Sequence, residues 1–270
     1  MFPAKRPPRI PGLSLNRMIP NILTVLALCA GLTAIRFGMH GKWEAGVLAI
    51  LVAAVLDGLD GRIARLLHGT SKFGAELDSL SDFVSFGVAP AMLLYFWSMQ
   101  HIGGPGWALV LLYAVCCALR LARFNTMLGQ ADLPPWAYNF FTGIPAPAAA
   151  GVVLLPMMLS FQLGSGLFDL PAVVGGFLVG VAFLMVSTLP TFSFKRLRVP
   201  VKWVLPTLLV VGLMAAFMVS NPWTTMSGII VAYLCSIPFS LRRFRQLKRQ
   251  AAELRGDEAA VETEPVVKEG

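Results

Sequence analysis

Apolar runs long enough to cross a membrane recur along this chain, and they restrict its fold more than any other feature. A transmembrane helix needs about 20 consecutive, mostly apolar residues. Only 13% of the 270 residues are charged, about half the fraction of a typical soluble domain. The sequence therefore predicts an all-α fold, a polytopic helical bundle embedded in a membrane.

Eight apolar runs are predicted to be transmembrane helices. They cover residues 19–38, 43–67, 74–99, 106–127, 145–163, 171–190, 202–220 and 223–240. Residues 1–18 precede the first run. Residues 241–270 are basic and then acidic, a pattern that predicts a partly disordered tail.

The basic residues indicate how these eight runs are oriented. Alternate connections, together with both ends of the chain, carry Lys5, Arg6, Arg9, Arg17, Arg62, Arg65, Lys72, Arg120, Arg123, Lys195, Arg196, Arg198, Lys202 and the tail RRFRQLKRQ. The opposite connections contain only Lys42, with Arg36 near the end of the first run. Because cytoplasmic loops are enriched in Lys and Arg, we expect both termini in the cytoplasm. The net charge of +8 then reflects topology and anionic lipid, and nucleic acid is not an expected partner.

Four aspartates lie where the second and third runs meet, in DGLDGRIARLLHGTSKFGAELDSLSD. One aspartate at the centre of a membrane helix costs roughly 2.5–3.5 kcal/mol on insertion scales. Asp57 and Asp60 are three residues apart and Asp78 and Asp82 are four apart, so each pair shares one face of its helix. The rise of about 1.5 Å per residue places both pairs at a similar depth near the cytoplasmic side. We expect four clustered carboxylates that face a polar cavity.

Divalent cations would remove the mutual repulsion of such a cluster. All-oxygen ligands suit Mg²⁺, Mn²⁺ or Ca²⁺, and magnesium commonly binds together with substrate phosphates. An arginine at the rim, Arg65, suits a phosphate or diphosphate guest. Alternatively, the acids only form ion pairs with Arg62, Arg65 and Lys72. A cation transporter is a further alternative, although these acids cluster at one depth and do not line the membrane.

The aspartates and their neighbours resemble the signature of the CDP-alcohol phosphatidyltransferase family. Every fixed position matches, in the order Asp57-x2-Asp60-Gly61-x2-Ala64-Arg65-x8-Gly74-x3-Asp78-x3-Asp82. The resemblance implies a six-helix catalytic membrane domain over residues 19–190. Two additional helices over residues 191–240 would follow it.

The resemblance also implies roles for individual residues. The metal ligands would be Asp57, Asp60, Asp78 and Asp82, and Asp82 would also be the general base. Two divalent cations, Mg²⁺ or Mn²⁺, would be the cofactors. The CDP group would be bound by Gly61, Ala64, Arg65, Gly74, Asn21 and Thr24.

Four further segments resemble the members of this family that use L-serine as the acceptor. They are IPNILTVLALCAGLTAI, DSLSDFVSFGVAPA, FTGIPAPAAA and ALRLARFN. In the last segment, Arg120 and Arg123 could bind the serine carboxylate or the lipid phosphate, or they could serve only as topology determinants. Glycerol 3-phosphate, inositol phosphate and choline are alternative acceptors within the family.

The expected reaction is transfer of the phosphatidyl group of CDP-diacylglycerol to serine in a single displacement. No Ser-His or Cys-His nucleophile arrangement is visible in the sequence. The expected location is the bacterial inner membrane, with the site on the cytoplasmic side and membrane lipids as partners. A homodimer is a further expectation.

Overall fold

A computed structural model describes residues 15–67, 71–127, 140–164, 166–187, 190–192, 204–240 and 246. The helices are α1 Leu15–Met39, α2 Trp43–Leu66, α3 Lys72–Asp82, α4 Ala89–Trp97, α5 Gly104–Met127, α6 Ala146–Val153, α7 Leu155–Leu163, α8 Pro171–Val186, α9 Val204–Ser220 and α10 Pro222–Ser240. A π-helical segment, Phe83–Val88, joins α3 to α4, and a 3₁₀ turn, Met99–Ile102, precedes α5. Strands β1 Phe140–Thr142 and β2 Pro190–Phe192 pair antiparallel.

Each predicted run coincides with one helix or with helices that follow each other directly. Among the described residues, five helical stretches are long and apolar enough to cross a membrane: Met18–Met39, Lys72–Trp97, Gly104–Thr126, Ala146–Leu163 and Pro222–Ser240. The prediction of a helical membrane protein is confirmed. Eight crossings remain a prediction, because α8 and α9 are shorter apolar helices and α2 carries the aspartates. The two short strands were not predicted. Residues 1–14 and the predicted tail, except residue 246, lie outside the described residues.

Helix α1 is held against both helices that carry the aspartates. It packs along α2 and along the stretch from α3 to α4. A Cβ atom on Gly31 would lie 2.6 Å from Ser85 Oγ, so the two backbones approach closely there. Ser81 Oγ donates to the carbonyl of Thr24 at 3.1 Å, and Ser85 Oγ donates to that of Ala27 at 3.2 Å. These contacts fix the register between α1 and the third helical stretch, which runs from α3 to α4 and corresponds to the third predicted run.

The π-helical segment is fixed on its other side by α5. The hydroxyl of the fully buried Tyr113 donates to the carbonyl of Phe86 at 2.9 Å. A Cβ atom on Gly87 would lie 3.1 Å from Cys117 Sγ, so α5 also approaches closely. A π segment loosens the regular helical hydrogen bonding and so leaves carbonyls open to side-chain donors. One continuous stretch therefore packs against α1 along its whole length, and its π segment and α4 also contact α2 and α5.

Candidate active site

A cleft opens between α1, α2 and α3 at the ends where the aspartates lie. Its lining residues are Pro20, Asn21, Thr24, Asp60, Gly61, Ala64, Arg65, Ser71, Gly74, Ala75 and Asp78. All six residues that the family resemblance associates with the CDP group are among them. Two of the four aspartates share the cleft wall with these residues.

Two glycines shape the cleft for different physical reasons. A Cβ atom on Gly74 would lie 2.9 Å from Asn21 Oδ1 and 3.1 Å from Ser71 Oγ, so a larger residue would displace Asn21. A Cβ atom on Gly61 would meet no described atom within 4 Å. Since packing does not require a glycine at position 61, the missing side chain leaves room for a ligand against the helix.

The two helix ends that flank the cleft are held by local hydrogen bonds. The side chain of Ser71 caps α3 by accepting from the backbone N–H of Gly74 at 3.0 Å. On α2, Arg65 Nε donates to the carbonyl of Gly61 at 2.9 Å. This bond turns the guanidinium back along the helix toward the cleft. Its remaining N–H donors have the geometry that suits a phosphate.

Three carboxylates converge on one point. One oxygen from each of Asp57, Asp60 and Asp78 lies within 4.8 Å of the other two. Ligand oxygens on opposite sides of one Mg²⁺ ion lie about 4.2 Å apart, and those around Ca²⁺ about 5 Å apart. The oxygens are therefore close enough to share a divalent cation, and their chemistry suits a hard one. Three of the four carboxylates that were expected to cluster are thus brought together.

Thr24 is bound to one of these carboxylates. Its hydroxyl lies 2.6 Å from Asp60 Oδ2 and 3.0 Å from the carbonyl of Pro20. A hydroxyl has one proton to donate, and the shorter distance favours the carboxylate. Both Thr24 and Asp60 are buried. No local pattern predicts this bond, because it joins residues 36 positions apart. The bond means that Thr24 orients Asp60 whatever else Thr24 contacts.

Asp82 lies beside the group of three and is not one of its members. Its carboxyl group is in hydrogen-bonding contact with that of Asp57. Its Oδ1 atom is buried and makes no hydrogen bond within the described part of the chain. Asp82 thus has one oxygen turned toward the cluster and another acceptor available for a different partner.

Arg120 and Arg123 lie in different surroundings, although they are one helical turn apart on α5. Arg120 interacts electrostatically with Asp82 and with the polar groups of Tyr113, Cys117 and Tyr233. Its buried Nε makes no hydrogen bond to any described residue.

The side chain of Arg123 points elsewhere. Its Nη1 donates to the carbonyl of Val186 at 3.4 Å, where α8 ends. A cation there complements the helix dipole and the terminal carbonyls. The structure therefore brings Arg120, and not Arg123, to the carboxylates.

The sequence is similar to two family models. The model described as CDP-alcohol phosphatidyltransferase matches residues 17–189. A second, described as CDP-alcohol phosphatidyltransferase 2, matches residues 202–238. Together they cover the aspartate cluster and the last two helices.

Several curated proteins are similar over most of the chain. The CDP-diacylglycerol–serine O-phosphatidyltransferase of Mycobacterium tuberculosis (strain ATCC 25618 / H37Rv) is 42% identical over 86% of this chain and 80% of its own length. The protein of the same name from Helicobacter pylori (strain J99) is 35% identical over 80% of this chain and 88% of its own. That from Bacillus subtilis (strain 168) is 35% identical over 66% of this chain and 92% of its own.

Proposed function

The chain belongs to the CDP-alcohol phosphatidyltransferase family, and we propose that it transfers the phosphatidyl group of CDP-diacylglycerol to L-serine. The products are phosphatidylserine and CMP. The observation that carries this proposal is the cluster of Asp57, Asp60 and Asp78 beside a cleft with an arginine on its wall. The names of the three relatives support serine as the acceptor.

The carboxylate cluster is proposed to hold the cofactor. Its ligands would be Asp57, Asp60 and Asp78, with Asp82 next to them. Two divalent cations, Mg²⁺ or Mn²⁺, would supply positive charge to the diphosphate and to the departing CMP. The absence of histidine or cysteine from the cluster supports a hard cation over zinc.

The nucleotide end of the substrate is proposed to occupy the cleft. Arg65 would bind a phosphate through its remaining donors. Gly61 leaves space for the nucleotide against α2, and Gly74 keeps Asn21 in place at the opposite wall. Ala64 and Thr24 complete the lining. The acyl chains of the lipid would remain in the bilayer beside the apolar helix faces.

Asp82 is proposed to act as the general base. A serine hydroxyl is a weak nucleophile at neutral pH, so it needs a positioned proton acceptor. The hydroxyl oxygen attacks the phosphorus that carries diacylglycerol, and its proton passes to Asp82. The bond from that phosphorus to the bridging oxygen of the diphosphate breaks, and the electron pair leaves with CMP. No covalent enzyme intermediate is required.

Arg120 is proposed to bind the serine carboxylate. Arg120 interacts electrostatically with Asp82, and both its Nε donor and the Oδ1 acceptor of Asp82 are buried without a hydrogen-bond partner among the described residues. Serine carries a carboxylate and a hydroxyl, which match this donor and this acceptor. Choline brings a cation and no carboxylate, so it fits this arginine less well. The names of the relatives favour serine over glycerol 3-phosphate and inositol phosphate.

The cleft is proposed to face the cytoplasm of a bacterial cell at the inner membrane. The basic residues near it, including Arg62, Arg65 and Lys72, support this orientation. The serine and CMP would then exchange with the cytosol. The homodimer stays a prediction, and the mass of the detergent-solubilised protein would test it.

The decisive experiment supplies the purified protein with labelled CDP-diacylglycerol and each acceptor in turn. We expect labelled phosphatidylserine with L-serine, and at least tenfold less product with choline, which has no carboxylate to accept a charged hydrogen bond from Arg120. Glycerol 3-phosphate and inositol phosphate should also give less product than serine, in line with the names of the relatives. EDTA should abolish turnover, and Mn²⁺ or Mg²⁺ should restore it. Preference for another acceptor would overturn the serine assignment, and full turnover in a chelated, metal-free sample would overturn the metal assignment.

A further inference from the structure

Two contacts hold the third helical stretch against α5. Further along the stretch, a Cβ atom on Gly87 would lie 3.1 Å from Cys117 Sγ. Nearer its start, Asn125 Nδ2 donates to Ser79 Oγ at 2.9 Å. From the first contact to the second, residue numbers fall along the stretch and rise along α5. The stretch and α5 therefore run antiparallel between these two contacts.

Asp82 and Arg120 lie at the same level between the two contacts. Asp82 follows Ser79 by three residues and Arg120 follows Cys117 by three, so each shares a helix face with the residue that makes the contact. Asp82 Oδ1 and Arg120 Nε are buried, and neither makes a hydrogen bond to any described residue. Because buried polar atoms normally have partners, a polar ligand between the stretch and α5 would satisfy both.

The hydrogen bonds of Ser79 fix the orientation of the Asn125 amide. Ser79 Oγ donates to the carbonyl of Ala75 at 3.1 Å, one turn earlier in α3. A hydroxyl has a single proton, so this oxygen can only accept from Asn125. The amide nitrogen of Asn125 therefore faces Ser79, and its carbonyl oxygen Oδ1 faces away from Ser79. Asn125 is exposed, which leaves Oδ1 accessible to a donor.

We propose that Asn125 is a specificity-determining residue whose Oδ1 accepts a hydrogen bond from the ammonium group of the acceptor. The proposal rests on the proposed function, in which serine places its hydroxyl at Asp82 and its carboxylate at Arg120. The ammonium is then the remaining polar group of serine, and an ammonium can only donate. An amide oxygen accepts from it without adding another negative charge beside the carboxylate cluster.

The spacing along α3 fits a molecule of the size of serine. With a rise of about 1.5 Å per residue, Ser79 lies about 4.5 Å from Asp82 along the helix axis. The hydroxyl and the ammonium of serine are attached to neighbouring carbon atoms. A serine with its hydroxyl at Asp82 therefore presents its ammonium within about one helical turn, the distance at which Asn125 bonds to Ser79.

The test compares L-serine with 3-hydroxypropionate, which is serine without the ammonium group, in the full-length protein. Wild type should prefer serine at least about tenfold in kcat/KM, as expected for a charged hydrogen bond. In Asn125→Ala this preference should fall about tenfold or more. The loss should come from a raised KM for serine, while kcat/KM for 3-hydroxypropionate and KM for CDP-diacylglycerol stay within about threefold of wild type. Competitive inhibition by 3-hydroxypropionate measures its affinity independently of its turnover.

The comparison of the two substrates separates recognition of the ammonium from support of the fold. A purely structural role of Asn125 would weaken serine and 3-hydroxypropionate equally and leave the preference unchanged, and that result would overturn the proposal. Wild-type protein that is inactive with serine but active with another acceptor would instead refute the proposed function itself.

Three matched variants sharpen the test. Asn125→Asp keeps an acceptor oxygen, so the preference for serine should be retained or increased. Ser79→Ala removes the partner that orients the amide, so the preference should fall about threefold to tenfold, as for a neutral hydrogen bond. Thr126→Val alters the neighbouring residue, whose hydroxyl donates to the carbonyl of Arg123 at 2.8 Å, and should leave the preference unchanged. A loss of preference in Asn125→Asp as large as in Asn125→Ala, or an equal loss in Thr126→Val, would also overturn the proposal.

Discussion

The carboxylate cleft and the surroundings of Arg120 are adjacent, yet they are assembled differently. The cleft is built from three successive helices, and its lining residues fall between Pro20 and Asp78. The groups around Arg120 come from the third helical stretch, from α5 and from α10, as far along the chain as Tyr233. The first region is local in sequence and has a recognisable spacing. The second depends on how distant helices pack, so it can change while the first stays constant.

Among the variants considered, removal of the proposed general base should cause the largest loss of activity. Asp82→Asn keeps the size of the side chain but removes its basic oxygen. We expect kcat to fall about 10²- to 10⁴-fold, the usual contribution of a general base. Binding of CDP-diacylglycerol, measured directly with the labelled lipid, should remain within a few fold of wild type.

The matched variants for this comparison are Asp57→Asn and Asp78→Asn. They alter the converging group of three, so they should raise the metal concentration needed for half-maximal activity and weaken lipid binding together. Normal turnover by Asp82→Asn would show that the base is another group. A metal requirement raised equally in all three variants would make Asp82 a metal ligand first.

The arginines on α5 give the next largest expected effect. Arg120→Lys keeps the charge but loses the planar donor geometry, so KM for serine should rise about ten- to a hundredfold. Arg123→Lys changes a residue that contacts the end of α8, and KM for serine should stay within about twofold. Steady-state kinetics with both substrates varied measures this. The reverse ranking would place the acceptor near Arg123 and refute the assignment made here.

The smallest expected effect concerns Thr24. Thr24→Val removes the hydroxyl that donates to Asp60, so the carboxylate loses its orientation. Removal of such a supporting bond typically weakens metal binding about tenfold or more. We therefore expect a roughly tenfold higher Mn²⁺ concentration for half-maximal activity, and a similar loss of Mn²⁺ affinity by calorimetry without lipid.

Thr33→Val is the control for this prediction. It lies on the same helix, and its hydroxyl donates only to the carbonyl of Cys29 in the preceding turn. Its metal requirement should match that of wild type. Equal shifts in both variants would mean that the substitutions act on α1 as a whole, and that the bond to Asp60 has no separate role.

The helical membrane fold could be predicted from the sequence because each helix is determined by its own run of apolar residues. A long apolar run forms a helix in lipid whatever its neighbours are. The strands at Phe140–Thr142 and Pro190–Phe192 were missed because each has only three residues and is stabilised by a partner about fifty residues away. The π segment in the third stretch was missed for a related reason: its distinctive hydrogen bond comes from Tyr113 on another helix.

The candidate site likewise has one part that could be predicted from the sequence and one part that could not. The convergence of Asp57, Asp60 and Asp78 follows from helical periodicity on two antiparallel neighbours, and it was predicted. The sequence could not show which of Arg120 and Arg123 lies near the carboxylates, because the two are three residues apart and differ only in what they face.

Because of the π-helical segment, the third helical stretch should tolerate a changed side chain better than an inserted or deleted residue. A π turn holds an extra residue compared with an α turn, and each residue of a helix corresponds to about 100° of rotation. Asp78, before the segment, faces the cleft, and Gly87, within it, faces Cys117. Deleting one residue between positions 83 and 88 would restore a regular helix and turn one of these two faces away from its partner. Related sequences can therefore exchange side chains here, but an insertion or deletion would separate the carboxylates from the helix that carries Arg120.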